Sequence, residues 1–171
     1  MRITSYGLFW RASQINWAPG SGTRGEFNLF GKIGERKPKL RVADFRLQQG
    51  IYILYDAYGP AYTGLTRASL GLGKRLKDHT NDHLKDRWDR FCWFGFRNIG
   101  QTVEKSGIHC LIDANNTVKD DTYATIGDLE SLLIRLLGTK LNISKMKFEN
   151  AEEWKQVPLE DRENILDRIK P

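Results

Sequence analysis

Cysteine is scarce in this chain of 171 residues, and the two that occur, Cys92 and Cys110, stand far apart with no CxxC spacing. That excludes a disulfide framework and a zinc ribbon, and points to a chain that keeps its thiols reduced inside the cell. Only three histidines are present, so the adjacent His109 and Cys110 lack further ligands at structural-zinc spacing. No apolar run approaches the roughly 20 residues needed to cross a bilayer. The polar sequence that follows Met1–Ser5 does not read as a secretory leader. A cytoplasmic protein without a membrane partner is the expectation. Hydrophobic residues at 40% and charged residues at 28% are the composition of one ordinary globular domain. No repeat or low-complexity tract is visible.

Acidic residues are thin in the first two-thirds of the chain. Residues 1–49 carry nine basic and three acidic side chains, 50–64 carry only Asp56, and 65–105 carry nine basic and five acidic. Beyond residue 105 the balance turns slightly acidic, so the net charge of +6 resides in the N-terminal part. Such a surface suits a polyanion such as nucleic acid, although a merely solvated basic surface has the same composition.

Residues 1–47 mix Phe9, Trp10, Trp17, Phe27 and Phe30 with glycine and basic clusters. They read as an aromatic and basic extension packed on a core formed elsewhere. Residues 20–25 match GxGxxG in form, but Ala18-Pro19 precedes them where a dinucleotide fold needs a strand, so a glycine-rich loop is expected. From Gly50 the branched and aromatic run Ile51-Tyr52-Ile53-Leu54-Tyr55, a turn-forming stretch and Ala61-Tyr62-Thr63-Gly64-Leu65 predict a β-hairpin. With the loop centred near Ala57, Tyr52 and Tyr62 would face each other on one side of the hairpin. A helix is predicted over 74–80, continuing further if Leu72, Leu76, Thr80, Leu84 and Trp88 all pack inward. Arg75 and His79, four apart, share one face of it. Residues 91–97 and 108–112 read as strands, and the polar stretch between Phe96 and Thr125 as an insertion.

The next predicted helix is capped by Thr125 and stopped by Gly138. Its apolar stripe is Ile126, Leu129, Leu133, Leu136 and Leu137, with Glu130 inside the edge. A carboxylate there needs a cation to meet it, either a basic side chain or a metal ion, unless it reaches out to water. Residues 143–171 read as a tail with a short helix opening at Pro158.

These residues together resemble the GIY-YIG nucleases. Gly50-Ile51-Tyr52 matches the first motif, Tyr62-Thr63-Gly64 the second with threonine in the middle, and Arg75, His79, Glu130 and Asn142 follow in order. The resemblance covers residues 48–142, and the flanking sequence is similar to a bacterial subgroup of that family. It implies an α+β fold, a small and mostly antiparallel three-stranded sheet flanked by helices, with an N-terminal extension at 1–47 and a C-terminal helical tail at 143–171. It also implies an endonuclease that hydrolyses phosphodiester bonds in DNA with Mg²⁺ or Mn²⁺.

In that expectation Glu130 binds the metal and Tyr52 is the general base, helped by Arg75 or the metal toward phenolate and by His79 as proton acceptor. Tyr62 orients the water or exchanges roles with Tyr52, Arg75 grips the phosphate, and Asn142 holds the geometry. The alternatives are a non-catalytic nucleic-acid-binding module of the same fold and a structure-selective nuclease acting on RNA or branched DNA. A homo-oligomer is compatible with the sequence but not readable from it.

Overall fold

The computed structural model describes residues 3–18, 27–66, 71–103, 106–112, 128, 131–132, 135–136, 148 and 151–170. In chain order the strands are β1 (Ser5–Arg11), β2 (Phe30–Ile33), β3 (Arg41–Asp44), β4 (Gly50–Tyr55), β5 (Pro60–Thr66), β6 (Arg90–Gly95), β7 (Asn98–Val103), β8 (His109–Ile112), β9 (Glu152–Glu153) and β10 (Lys155–Gln156). The helices are α1 (Gly71–His79) and α2 (Arg162–Ile169), and Asp128, Ser131, Leu132, Arg135 and Leu136 are also helical.

The strands form two five-stranded sheets, ordered β5-β4-β6-β1-β9 and β10-β2-β3-β8-β7. Each is mixed, because β1 pairs β9 and β3 pairs β8 in parallel while every other ladder is antiparallel. This corrects the expected fold class of a small three-stranded antiparallel sheet flanked by helices. The first 47 residues are the reason. Instead of covering a finished core, β1 pairs with β6, setting Tyr6 against Phe94 and Trp10 against Phe91. A bulge between Gly7 and Trp10, with Phe9 at φ +52°, breaks the alternation that would have marked this strand in the sequence. The strand read at 108–112 is β8, and with β7, which lies in the stretch expected as a polar insertion, it joins the second sheet. Strands from 1–47, 48–142 and 143–171 occur in both sheets.

Alternation along β4 and β6 divides their side chains between two layers. Tyr52, Leu54, Phe91 and Trp93 join Leu72 and Leu76 of α1 and Ala43 and Phe45 near the second sheet in the main core. Phe45 and Trp93 bring the two sheets together, with ring centroids 4.4 Å apart. On the opposite face of the first sheet, Ile53, Tyr55, Cys92 and Phe94 pack with Leu132 and Phe148. Residues Ile165 and Ile169 of α2 close a third cluster with Phe30 and Val42. Burial of each such large side chain contributes about 1.5–3 kcal/mol against conformational entropy. Among the described residues no helix is long and apolar enough to cross a membrane.

Candidate functional site

The β4–β5 hairpin turns around Asp56, whose carboxylate accepts the backbone N–H groups of Tyr58 and Gly59. The ladder pairs Tyr52 with Gly64 and Leu54 with Tyr62. The two tyrosines are therefore diagonal neighbours, not directly opposite as a loop centred on Ala57 would make them. They still share a face, and their ring centroids are 6.2 Å apart.

Helix α1 approaches this face closely because Gly71, at φ +67°, and Gly73 let its first turn lie against the backbone of Arg46 and Leu47. Leu72 and Leu76 anchor it in the core. The helix stops at His79 and does not continue through Leu84 and Trp88. The hydroxyl of Thr80 and the amide of Asn81 donate to the Lys77 carbonyl, and the Asp82 carboxylate accepts the Leu84 N–H. Such local side-chain bonds offer the backbone an alternative to another helical turn. They also fold Asp82 back against His79.

Three side chains then form a hydrogen-bonded chain. The Tyr52 hydroxyl is 2.8 Å from His79 Nε2, and His79 Nδ1 is 2.7 Å from Asp82 Oδ2. The Leu84 N–H first of all holds the Asp82 carboxyl below its usual range, with His79 acting in the same direction and burial opposing, so this carboxylate only accepts. His79 Nδ1 therefore donates to it. Burial, with the Tyr62 phenol acting in the same direction and Arg75 opposing, pushes Tyr52 up to about 12. The expectation that Arg75 would favour phenolate is outweighed by desolvation, and Tyr52 at neutral pH is a phenol that donates to Nε2. The exposed Arg75 guanidinium lies beside Tyr52, and the interaction with that phenol is the first cause that raises the arginine's pKa. Tyr62 lies edge-on to His79, with centroids 5.1 Å apart. Tyr52 and His79 are 0% and 2% exposed, whereas Tyr62 is half-buried.

Tyr52, Tyr62, Arg75 and His79 are thus brought together. Glu130 and Asn142 lie outside the described residues, as does the glycine-rich loop at 20–25. The described helical residues that bracket Glu130 are held on the other side of the first sheet. Leu132 packs with Ile53 and Phe94, the Asp128 carboxylate accepts the Ile3 N–H, and the Arg135 guanidinium lies over the Tyr6 ring. Asp82, the carboxylate that joins the Tyr52 cluster, meets His79 with one oxygen and the Leu84 N–H with the other. Among the described residues no group of three His, Cys, Asp or Glu side chains is arranged to hold a metal.

Two contributors were missed in the sequence. Asp82 carries a usable signal, an acid three residues after a histidine at the end of a helix. Gly64 was read only as part of a motif, whereas its place under the Tyr52 ring depends on the hairpin register. Beside the cluster a groove of about 690 Å³ runs between the hairpin tip and the segment after α1, lined by Tyr58, Ala61, Leu84, Arg87 and Trp88 among others. No family model, curated protein or solved structure matches the chain.

Proposed function

We propose that the chain is an endonuclease that hydrolyses phosphodiester bonds in DNA. The observation that carries this reading is the junction of Tyr52, His79 and Arg75, a phenol 2.8 Å from an imidazole with a guanidinium beside it. Phosphodiester hydrolysis needs a group to take a proton from water and a cation to face the phosphate. Tyr52 suits the first task because His79 can accept the proton that the phenol gives up. Arg75 suits the second, since its exposed planar fork matches two phosphate oxygens. Tyr62, half-buried beside Tyr52, is assigned to orienting the water. Glu130 is the proposed carboxylate for Mg²⁺ or Mn²⁺, which when bound would offset negative charge on the phosphate. Asn142 is assigned to holding the geometry. The cationic first hundred residues support a polyanionic substrate.

The test is nicking of supercoiled plasmid with Mg²⁺ or Mn²⁺, with and without chelator. Tyr52→Phe and Arg75→Ala are each expected to slow cutting by about 10²-fold or more. Glu130→Ala is expected to lose cutting while retaining DNA. Wild-type cutting by the first two variants removes the reading, and wild-type cutting by Glu130→Ala removes that residue from the site. A panel of duplex, branched and RNA substrates separates a DNA enzyme from a structure-selective or RNA nuclease.

A second reading, a nucleic-acid-binding module without turnover, is favoured by a specific observation. Tyr52 is fully buried in its phenol form, and the described helical neighbours of Glu130 pack on the opposite face. This reading expects salt-sensitive DNA retention with no cleavage under any divalent ion.

A further inference from the structure

His79 has both ring nitrogens engaged at short range by partners from different parts of the chain, Tyr52 from the hairpin and Asp82 from the segment beyond α1. The segment is itself pinned, because the Leu84 N–H donates to Asp82 Oδ1 at 2.8 Å and the Trp88 indole donates to the His79 carbonyl at 3.3 Å. A carboxylate with both oxygens so engaged has little freedom to release His79. We infer that Asp82 is a positioning residue, whose carboxylate holds His79 with its proton on Nδ1 so that Nε2 is the acceptor for the proton of Tyr52.

The catalytic consequence rests on the nuclease reading, whereas the geometry does not. As water attacks phosphorus, a water proton passes to Tyr52 Oη and the phenol's own proton passes to His79 Nε2. The bond from phosphorus to the leaving oxygen breaks, and solvent protonates that oxygen. His79 is left as an imidazolium against the Asp82 carboxylate and returns its extra proton to solvent. Tyr52 is a phenol before and after the step, which suits a buried hydroxyl that does not ionise in advance. An imidazole with its proton on Nε2 would present an N–H to the phenol, and a flipped ring would present a C–H; neither could accept the proton.

The test compares Asp82→Asn and Asp82→Glu with wild type in two measurements. One is single-turnover nicking of supercoiled plasmid in Mg²⁺ or Mn²⁺, with binding of a short DNA duplex measured alongside. The other is long-range ¹H–¹⁵N correlation of the histidine side chains, which needs no cleavage. Asn can turn its NH₂ toward Nδ1, so Asp82→Asn is expected to move the His79 proton to Nε2 and slow nicking by about 10²-fold with duplex affinity unchanged. Asp82→Glu is expected to keep the wild-type tautomer and restore part of the rate. Nicking by Asp82→Asn at the wild-type rate, or a His79 tautomer unchanged in that variant, overturns the inference. If wild type cuts none of the substrates yet the tautomer inverts in Asp82→Asn, the positioning role stands and the nuclease reading falls.

Discussion

Gly64 lies across the β4–β5 ladder from Tyr52, and the tyrosine ring crosses directly over it. A Cβ at this position would overlap both the ring carbon that bears the hydroxyl and the hydroxyl oxygen itself. The contact on the other side is backbone, so only the ring can move, and its movement would separate Oη from His79.

Gly64→Ala is therefore expected to destabilise the protein by about 1–3 kcal/mol, the usual range for overpacking a filled site. Urea unfolding followed by tryptophan fluorescence checks this. An unchanged midpoint would mean that the ring does not rest on β5.

Tyr52→Phe keeps the ring in the core and removes only the hydroxyl. His79 Nε2 then loses its partner in a place that is 2% exposed. A loss of about 1–3 kcal/mol is expected, the penalty for a buried polar atom left without a hydrogen bond. The same urea experiment measures it, and a gain in stability would count against the bond.

Gln48 is 1% exposed and uses its whole amide. Its nitrogen donates to the Ser5 hydroxyl and the Arg97 carbonyl, and its oxygen accepts from the Gln49 and Arg97 N–H groups. It ties the start of β4 to β1 and to the β6–β7 turn. Gln48→Ala strands several of these groups at once, and a loss of about 3 kcal/mol is expected in equilibrium unfolding. A loss below about 1 kcal/mol would show that water replaces the amide.

Alkaline pH should act on the buried tyrosines. Burial foremost pushes both Tyr6 and Tyr52 up to about 12, and Tyr55 higher still. The unfolded chain loses these protons near pH 10, so above that pH the folded state binds more protons and stability falls as pH rises. The contribution is complete below pH 10 and is lost on the way to pH 12. Phenolate absorbance near 295 nm is expected to rise in step with loss of structure, and Tyr55→Phe should flatten the pH dependence. Ionisation of all tyrosines near pH 10 with the fold intact would contradict the burial.

Short-range features were legible in the sequence because they depend on neighbours a few residues apart. The branched and aromatic run Ile51-Tyr52-Ile53-Leu54-Tyr55 marked β4, and the spacing of Arg75 and His79 put both on one side of α1. Register was less legible, since a shift of the turn by one residue moved the partner of Tyr52 from Tyr62 to Gly64. The helix read over 74–80 ends within one residue of α1, and the continuation that the spacing of Leu84 and Trp88 allowed is stopped by the hydrogen bonds of Thr80, Asn81 and Asp82. The wider sheets were not legible at all. The bulge at Phe9 hid β1, and two-residue strands such as β9 and β10 are too short to carry a period.

The interleaving of the two sheets bears on how the protein is made. Ser5 pairs with Glu152 and Lys32 with Lys155, so β1 and β2 wait for partners at residues 152–156. On the ribosome they would emerge as bare sheet edges, and neither layer could close before residues 152–156 had been made. Pairings this remote in sequence fold slowly and leave nascent strands open to mispairing, which makes expression yield sensitive to chaperone supply and growth temperature.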